Sequence, residues 1–123
     1  MVNKLTLTAL AVVIIDQLSK FIFNSYSSAT HNYGAAFGLF QGYWWLFVIT
    51  ALVVILWIVK FAKRYNNFAL GLLLGGTIGN LIDRLIYGYV IDFIDLGFWP
   101  SFNLADSFSV IGVLLLIYLH WKD

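Results

Sequence analysis

The chain has 123 residues, of which 62% are hydrophobic and only 11% are charged. Soluble domains carry about 25% charged residues, so this composition excludes an ordinary soluble protein and indicates a membrane protein of one domain. The absence of cysteine from the sequence excludes disulfides, thiolate metal sites and a cysteine nucleophile, and a net charge of +1 without a basic cluster gives no reason to expect nucleic-acid binding.

Four apolar segments alternate with polar connections, and each is about 18–20 residues long, the length that an α-helix needs to cross the hydrocarbon of a bilayer. We predict a single all-α membrane domain over residues 1–123 with four transmembrane helices. The helices are predicted at residues 4–23, 43–62, 68–87 and 103–121. A cleaved signal peptide is the alternative for the first segment, but no small-residue cleavage pattern follows its apolar run, and Asp16 and Lys20 interrupt its far end.

The placement of the cations predicts how the helices are oriented. Five of the seven lie near the chain termini or around the short turn KRYNN: Lys4, Lys60, Lys63, Arg64 and Lys122. The positive-inside rule therefore places both termini and this turn in the cytoplasm, and the longer connections, residues 24–42 and 88–102, outside. All acidic residues except Asp123 lie in the outward half, so we expect the chemistry of this protein to face the outer side of the membrane.

Gly71, Gly75 and Gly79 recur every four residues along the third predicted helix. Such a stripe of small residues lets a neighbouring helix approach closely, and in lipid it is packing rather than a hydrophobic driving force that holds helices together. We interpret the stripe as a packing surface.

Two groups of polar side chains each share a face of a predicted helix. Asp16 and Lys20 are four residues apart, in the order that favours an ion pair, and we interpret them as a structural pair in preference to catalytic residues. On the third helix, Asn80, Asp83 and Arg84 lie on one face near its outer end. These three either satisfy the backbone of the connections above them or orient catalytic carboxylates and hold substrate carbonyls, and the sequence allows both roles.

Asp92 and Asp106 are the strongest catalytic candidates. Asp92 lies in the outer connection, and Asp106 lies in the first turn of the fourth helix, where Asn103 is a good candidate for the N-cap. An alternative role for Asp106 is to complement the positive end of that helix. Asp95, three residues after Asp92, is interpreted as a solvated loop acid.

A pair of aspartates can hydrolyse a peptide bond when the two carboxyl groups share one proton. The ionised carboxylate takes a proton from water, and the protonated carboxyl polarises the scissile carbonyl. The sequence does not indicate a metal, because His31 and His120 lie on opposite sides of the predicted bundle and no histidine–carboxylate cluster of metal-ligand spacing is expected. We expect no cofactor.

Five motifs, in order along the chain, resemble those of lipoprotein signal peptidase, also called signal peptidase II, a bacterial membrane aspartyl protease. They are DQLSK at residues 16–20, NYGAAFG at 32–38, GGTIGNLIDR at 75–84, VIDF at 90–93 and FNLADS at 102–107. Any one of these motifs is weak by itself, whereas five in order on an outward-facing chain of four apolar spans are specific. The outer connections are shorter than is typical of the family, so the size of the segment over the site is not carried over.

The resemblance implies a role for each polar residue. Asp92 and Asp106 would form the catalytic dyad, which cleaves the peptide bond before a cysteine that carries diacylglycerol. The residues implied to line the site and hold the substrate backbone are Asn32, Asn80, Arg84 and Asn103, with Asp16 and Lys20 in support. The first outer connection would form a small β-cradle, and the second would carry a gating segment.

The resemblance also implies a location and partners. The chain would be a multi-pass protein of the bacterial cytoplasmic (inner) membrane, with its active site at the outer face, and would act on diacylglyceryl-modified prolipoproteins among membrane lipids. Globomycin-type peptide antibiotics would block the dyad, and a monomer would suffice because both aspartates lie in one chain.

Two other functions are compatible with a small helical membrane protein. A four-helix transporter or channel would place its key acid near the bilayer midplane, whereas these acids cluster outward. A non-catalytic binder of lipoprotein precursors would be expected to lack one member of the dyad, and both are present.

Overall fold

The computed structural model describes residues 3–26, 29–35 and 39–121, and this part of the chain is mostly helical, as predicted. Its helices are α1 (Lys4–Tyr26), α2 (Trp44–Phe61), α3 (Asn67–Tyr87) and α4 (Leu104–His120), and its strands are β1 (Thr30–Asn32) and β2 (Val90–Asp92). The end of the predicted NYGAAFG motif, residues 36–38, lies outside the described residues, as do Lys122 and Asp123 of the predicted charge distribution.

Among the described residues, α1, α2 and α3 are long and apolar enough to cross a membrane, judged by length and composition. The fourth helix is also apolar, but at 17 residues it is shorter than the predicted span. The difference arises at its ends, because Asn103 has an extended backbone as the N-cap and Trp121 is the C-cap, so two predicted helical residues are caps. At the other end of the chain, α1 continues three residues beyond Phe23, and the Ser25 hydroxyl donates to the Phe21 carbonyl at 3.2 Å in this extra turn.

The central helix is α3, with α1 and α4 packed along it and α2 covering less of it. The glycine stripe faces α1: a Cβ added at Gly71 would lie 2.6 Å from Cβ of Thr8, and one at Gly75 would lie 2.5 Å from Cβ of Val12. Gly76 faces α4 in the same way, with the Ala105 carbonyl 2.5 Å from an added Cβ. These contacts confirm that the stripe is a packing surface.

The apolar core cluster and the buried polar residues lie toward opposite ends of the bundle. Leu5, Ile58 and Leu70 form an apolar core near the turn between α2 and α3. Toward the other end, five polar or charged residues are buried: Asp16, Lys20, Asp83, Asp92 and Asn103. The outer surface of the bundle is apolar, and Leu56 and Val59 of α2 are 69% and 67% exposed. A surface of this kind suits lipid rather than water.

The strands β1 and β2 form a two-stranded antiparallel ribbon in which Asn32 pairs with Val90 and Thr30 pairs with Asp92. The ribbon therefore joins the two longer connections, whereas the resemblance implied a β-cradle formed by the first of them. A strand of three residues needs a partner for its backbone groups, and β1 finds that partner in the second connection. Backbone hydrogen bonds of 2.9 and 3.0 Å between Ile94 and Phe102 then close residues 95–101 into a loop beside the start of α4.

Candidate active site

Asp92 and Asp106 reach the same cavity from two different elements. Asp92 is the last residue of β2, Asp106 lies in the first turn of α4, and both line a cavity of about 260 Å³. Asn32 from β1 and Arg84 from α3 line the same cavity. The fold thus places four of the predicted site residues around one small space, although they come from four separate parts of the chain.

Asn103 connects the two carboxylates. Its backbone N–H donates to Oδ2 of Asp106 at 3.1 Å, and its side-chain Nδ2 donates to Oδ1 of Asp92 at 2.9 Å. In return, Oδ1 of Asn103 accepts a hydrogen bond from the Asp106 N–H at 2.9 Å, which completes a capping box at the start of α4. Asp106 therefore caps its helix, as the alternative interpretation expected, and also lines the cavity.

Asparagine amides also hold the remaining carboxylate oxygens. Nδ2 of Asn32 donates to Oδ2 of Asp92 at 3.1 Å, and Nδ2 of Asn80 donates to Oδ1 of Asp106 at 2.8 Å. The Asn80 amide is oriented by two donors to its own oxygen, Nδ2 of Asn103 at 3.0 Å and Nζ of Lys20 at 3.1 Å. Each of the four carboxylate oxygens consequently accepts a hydrogen bond from an asparagine.

Burial gives Asp92 an unusual proton affinity. Removal from solvent, with the negative charge of Asp106 as the second cause, raises the pKa of Asp92 from 3.8 to about 7. The hydrogen bonds from Asn32 and Asn103 and the charge of Lys20 act in the opposite direction, but they do not cancel the effect of burial. Near neutral pH, Asp92 is therefore available as a carboxylic acid that can donate a proton.

Arg84 brings a positive charge to the cavity. Its guanidinium interacts electrostatically with Asp106, and less strongly with Asp92 and Asp83. The guanidinium carbon also lies 5.0 Å from the centre of the Phe47 ring, close enough for a cation–π contact with α2. The position suits a residue that holds the carbonyl groups of a bound peptide.

Asp16 and Lys20 form the predicted ion pair, with Nζ of Lys20 2.7 Å from Oδ2 of Asp16. The structure adds a second acid, because the same Nζ lies 3.0 Å from Oδ2 of Asp83. All three residues are buried, with 0–1% exposure. An unpaired charge within a membrane is destabilising by at least about 3 kcal/mol, so the three charges need one another to remain there.

Gln17 and Asp83 also belong to the buried network. Asp83 was predicted to share a helix face with Asn80 and Arg84, whereas Gln17 was given no role. Nε2 of Gln17 donates to Oδ2 of Asp16, to the Gly79 carbonyl and to Oδ1 of Asp83 at 3.0–3.2 Å. Both residues lie within motifs that resemble those of the family, and these motifs were the signal in the sequence that could have identified them. Helical spacing alone does not reveal these partners, because the contacts of Gln17 with α3 join positions more than 60 residues apart.

Asp95 lies away from the dyad, in the loop of residues 95–101. Its side chain is exposed, and its Oδ1 accepts a hydrogen bond from the Gly97 N–H at 2.9 Å. This local turn confirms the interpretation of Asp95 as a loop acid.

A second cavity of about 500 Å³ adjoins the dyad and is mostly apolar. Its lining consists of Leu96, Phe98, Trp99, Phe102, Asp106, Ser107, Val110 and Ile111. Trp99, Phe102 and Asp106 line both cavities and so form the boundary between them. A ligand that joins a peptide to an apolar group could therefore place one part in each cavity.

Comparisons with known proteins agree on one family. The family model described as signal peptidase (SPase) II matches residues 8–122. The chain is 46% identical to the lipoprotein signal peptidase of Syntrophomonas wolfei subsp. wolfei, over 93% of this chain and 90% of the relative. It is 43% identical to the lipoprotein signal peptidase of Moorella thermoacetica, over 91% of this chain and 89% of the relative.

Solved structures of a bacterial membrane enzyme, obtained by the in meso method at 2.3 and 1.9 Å resolution, have the same fold as this chain. The first superposes with a TM-score of 0.86 at 33% identity and covers 97% of this chain and 88% of the solved one. The second superposes with a TM-score of 0.84 at 33% identity and covers 97% of this chain and 93% of the solved one.

Proposed function

The chain belongs to the signal peptidase II family, and on that basis we propose that it is a membrane aspartyl endopeptidase that removes signal peptides from prolipoproteins. Asn103 is the observation that carries the proposal, because this one buried residue donates hydrogen bonds to both Asp92 and Asp106. Two carboxyl groups held together at a cavity can divide peptide hydrolysis between an acid and a base. The bond cleaved is the one before a diacylglyceryl-modified cysteine.

In the proposed reaction Asp106 is the base and Asp92 is the acid. Asp106 removes a proton from water as the water oxygen attacks the scissile carbonyl carbon, and Asp92 donates its proton to the carbonyl oxygen. The tetrahedral intermediate then collapses: the C–N bond breaks, the proton on Asp106 passes to the leaving nitrogen, and Asp92 regains a proton from a hydroxyl of the intermediate. The products are a new carboxyl group on the signal peptide and a free amino group on the cysteine.

Two features support this division of labour. The raised pKa of Asp92 favours its protonated form near neutral pH. Asp106 lies in the first turn of α4, where the helix dipole favours negative charge.

The residues around the dyad are proposed to hold the substrate. Asn32 and Arg84 are placed to bind its backbone carbonyl and amide groups, while the apolar cavity beside Asp106 receives the lipid-bearing part. The segment around Trp99 acts as the gating segment, since Trp99 lines both cavities. Binding substrate and dyad in one fixed geometry removes much of the entropic barrier to reaction.

We further propose four membrane spans in a bacterial cytoplasmic (inner) membrane, with the termini in the cytoplasm and the dyad at the outer face. The 17 residues of α4 extend roughly 26 Å, close to the thickness of the hydrocarbon core, which supports a fourth span. Lys60, Lys63 and Arg64 lie around the turn that this topology places in the cytoplasm. A monomer is sufficient, and globomycin-type peptides are expected to occupy the dyad cavity.

The proposal is tested by cleavage of a diacylglyceryl-modified prolipoprotein by the purified, detergent-solubilised protein, followed by gel shift. Wild type and Asp95→Asn are expected to cleave. Asp92→Asn and Asp106→Asn are expected to elute as folded proteins and to lose at least about 10³-fold in rate, because each lacks one half of the acid–base pair. Cleavage by either dyad variant at the wild-type rate would exclude the mechanism.

A further inference from the structure

The buried cluster of Asp16, Lys20 and Asp83 lies behind the dyad, and the hydrolysis proposed above uses none of its groups. The three side chains have 0–1% exposure, so a substrate in the cavity cannot contact them. Three charges buried in a small membrane protein nevertheless need a reason to be there, because apolar residues of similar size would avoid their desolvation.

Asp16 holds the start of α4. Its Oδ1 accepts a hydrogen bond from the backbone N–H of Ala105 at 3.0 Å. Ala105 immediately precedes Asp106, and the first N–H groups of a helix have no acceptor within that helix. The carboxylate of α1 thus fixes the position of α4 at the point where Asp106 enters the cavity.

Asp83 holds β2 in the same manner. Its Oδ2 accepts a hydrogen bond from the backbone N–H of Ile91 at 3.0 Å, and Ile91 immediately precedes Asp92. The ribbon of β1 and β2 has only three residues in each strand, and a two-stranded ribbon is marginal by itself. The carboxylate of α3 therefore supplies an attachment for β2 beside the catalytic residue.

Lys20 joins these two attachments into one. Its Nζ lies 2.7 Å from Oδ2 of Asp16 and 3.0 Å from Oδ2 of Asp83. Gln17, one turn earlier on α1, makes a second link by donating to both acids at 3.2 and 3.0 Å. A continuous line of buried polar contacts consequently runs from the residue before Asp106 to the residue before Asp92.

We propose that Asp16, Lys20 and Asp83 are positioning residues that act as one bridge and set the separation of the two catalytic carboxyl groups. The inference rests on the proposed function, since it gives the cluster a task in that reaction. If one acid loses its charge, Lys20 relaxes toward the other, and both ends of the bridge shift. A displacement of about 1 Å at reacting groups lowers a rate by up to about 10²-fold.

The kinetic test compares Asp16→Asn, Asp83→Asn and the double variant with Asp95→Asn, which makes the same change at an exposed acid outside the bridge. Each single variant is expected to lower kcat at least about tenfold and to leave KM within about twofold, because substrate does not touch the bridge. The double variant is expected to lose no more than the worse single variant, since the two acids act as a unit. Losses that multiply, losses confined to KM or an unchanged kcat would overturn the bridge.

Hydrogen exchange of the backbone amides tests the bridge without any activity. Asp83→Asn is expected to speed exchange at least about tenfold at Ala105 as well as at Ile91, and Asp16→Asn is expected to do the same at both. An increase only at the amide that each acid contacts would overturn the bridge even if the enzyme is active. Coupled exchange in a protein that does not cleave would instead support the bridge and count against the proposed function.

Gln17→Met provides a variant that keeps all three charges, should loss of a charge prevent folding. It removes the second link between the two acids, so it is expected to raise exchange at Ala105 and Ile91 together and to lower kcat less than the aspartate variants do. Unchanged exchange at both amides in this variant would overturn the bridge.

Discussion

Asparagine residues, rather than lysine or arginine, make the described hydrogen bonds to the two dyad carboxylates: three come from side-chain amides and one from the backbone N–H of Asn103. A neutral amide orients a carboxylate but stabilises its negative charge less than a cation would. Asn32 and Asn103 therefore fix the geometry of Asp92 while its pKa remains near 7. This choice of residue type leaves Asp92 able to hold a proton near neutral pH.

The raised pKa of Asp92 predicts the alkaline limb of the pH–rate profile. Burial, assisted by the charge of Asp106, keeps the proton on Asp92 up to about pH 7. Above that pH the acid form is lost, and kcat/KM is expected to fall about tenfold per pH unit. Initial rates of the wild type between about pH 5 and about pH 9 check this expectation. Asp95→Asn is the control and is expected to give the same pH profile as the wild type. A rate that stays level across the alkaline half of this range would contradict it.

The same shift has a consequence for stability, with a definite sign. The folded-state pKa of Asp92 is raised above its ordinary value of 3.8, so folding favours the protonated form. The stability that protonated Asp92 contributes is fully present below pH 3.8 and is lost as the pH rises through about 7. The raised pKa that keeps Asp92 protonated near neutral pH therefore also makes the folded site less stable at alkaline pH.

Among the elements, α3 makes the closest approaches, and Gly75 is the position where they are most easily tested. In Gly75→Ala the new Cβ would lie 2.5 Å from Cβ of Val12 and 2.8 Å from the Ala9 carbonyl, and a backbone atom cannot rotate away. The variant is expected to lose about 1–3 kcal/mol of stability because α1 must move away from α3. The melting temperature of the detergent-solubilised protein measures this loss.

Val53→Leu is the matched control for that substitution. It also adds one carbon, but on the lipid-facing side of α2, where Val53 is 60% exposed. Its melting temperature is expected to equal that of the wild type. Equal melting temperatures for Gly75→Ala and wild type would show that α1 and α3 have room that the structure does not indicate.

The helices could be predicted from the sequence because each signal is local. Apolar length marks the helices, and the spacing of Asp16 and Lys20 predicts their ion pair. Asn103 is recognisable as a cap from its place before an apolar run. The ribbon could not be predicted, since three-residue strands carry too little alternation and β1 pairs with a strand about 60 residues away.

The site shows the same division between local and distant information. The motifs select the four predicted site residues that line the cavity, whereas the contact of Asp83 with the Ile91 N–H depends on how β2 folds back onto α3. Helical spacing placed Asp83 beside Asn80 and Arg84, and it could not show that Asp83 faces α1 and β2. Long-range contacts of backbone groups leave no pattern in a single sequence.

At the scale of the whole molecule, the proposed orientation can be tested because the chain contains no cysteine. Asp95→Cys and Lys63→Cys each introduce one thiol at an exposed position, in the second outer connection and in the KRYNN turn respectively. A membrane-impermeant maleimide applied to intact spheroplasts is expected to label the Asp95→Cys variant and not the Lys63→Cys variant. The reason is that the positive-inside rule assigns the side with five of the seven cations to the cytoplasm.

Permeabilised spheroplasts supply the control for this labelling. Both variants are expected to react once the membrane is opened, which shows that both thiols are accessible. Labelling of Lys63→Cys in intact spheroplasts, with Asp95→Cys protected, would reverse the orientation and place the dyad on the cytoplasmic side.

The active site is assembled from segments that the ribosome makes at different times. Asp16 and Lys20 can neutralise each other within α1 from the moment that helix enters the membrane, because they are four residues apart. Asp92 follows much later, and Asn103 and Asp106 are made only with the start of α4. A nascent chain therefore has no complete dyad, and cannot carry out the proposed hydrolysis, until the start of α4 has been made.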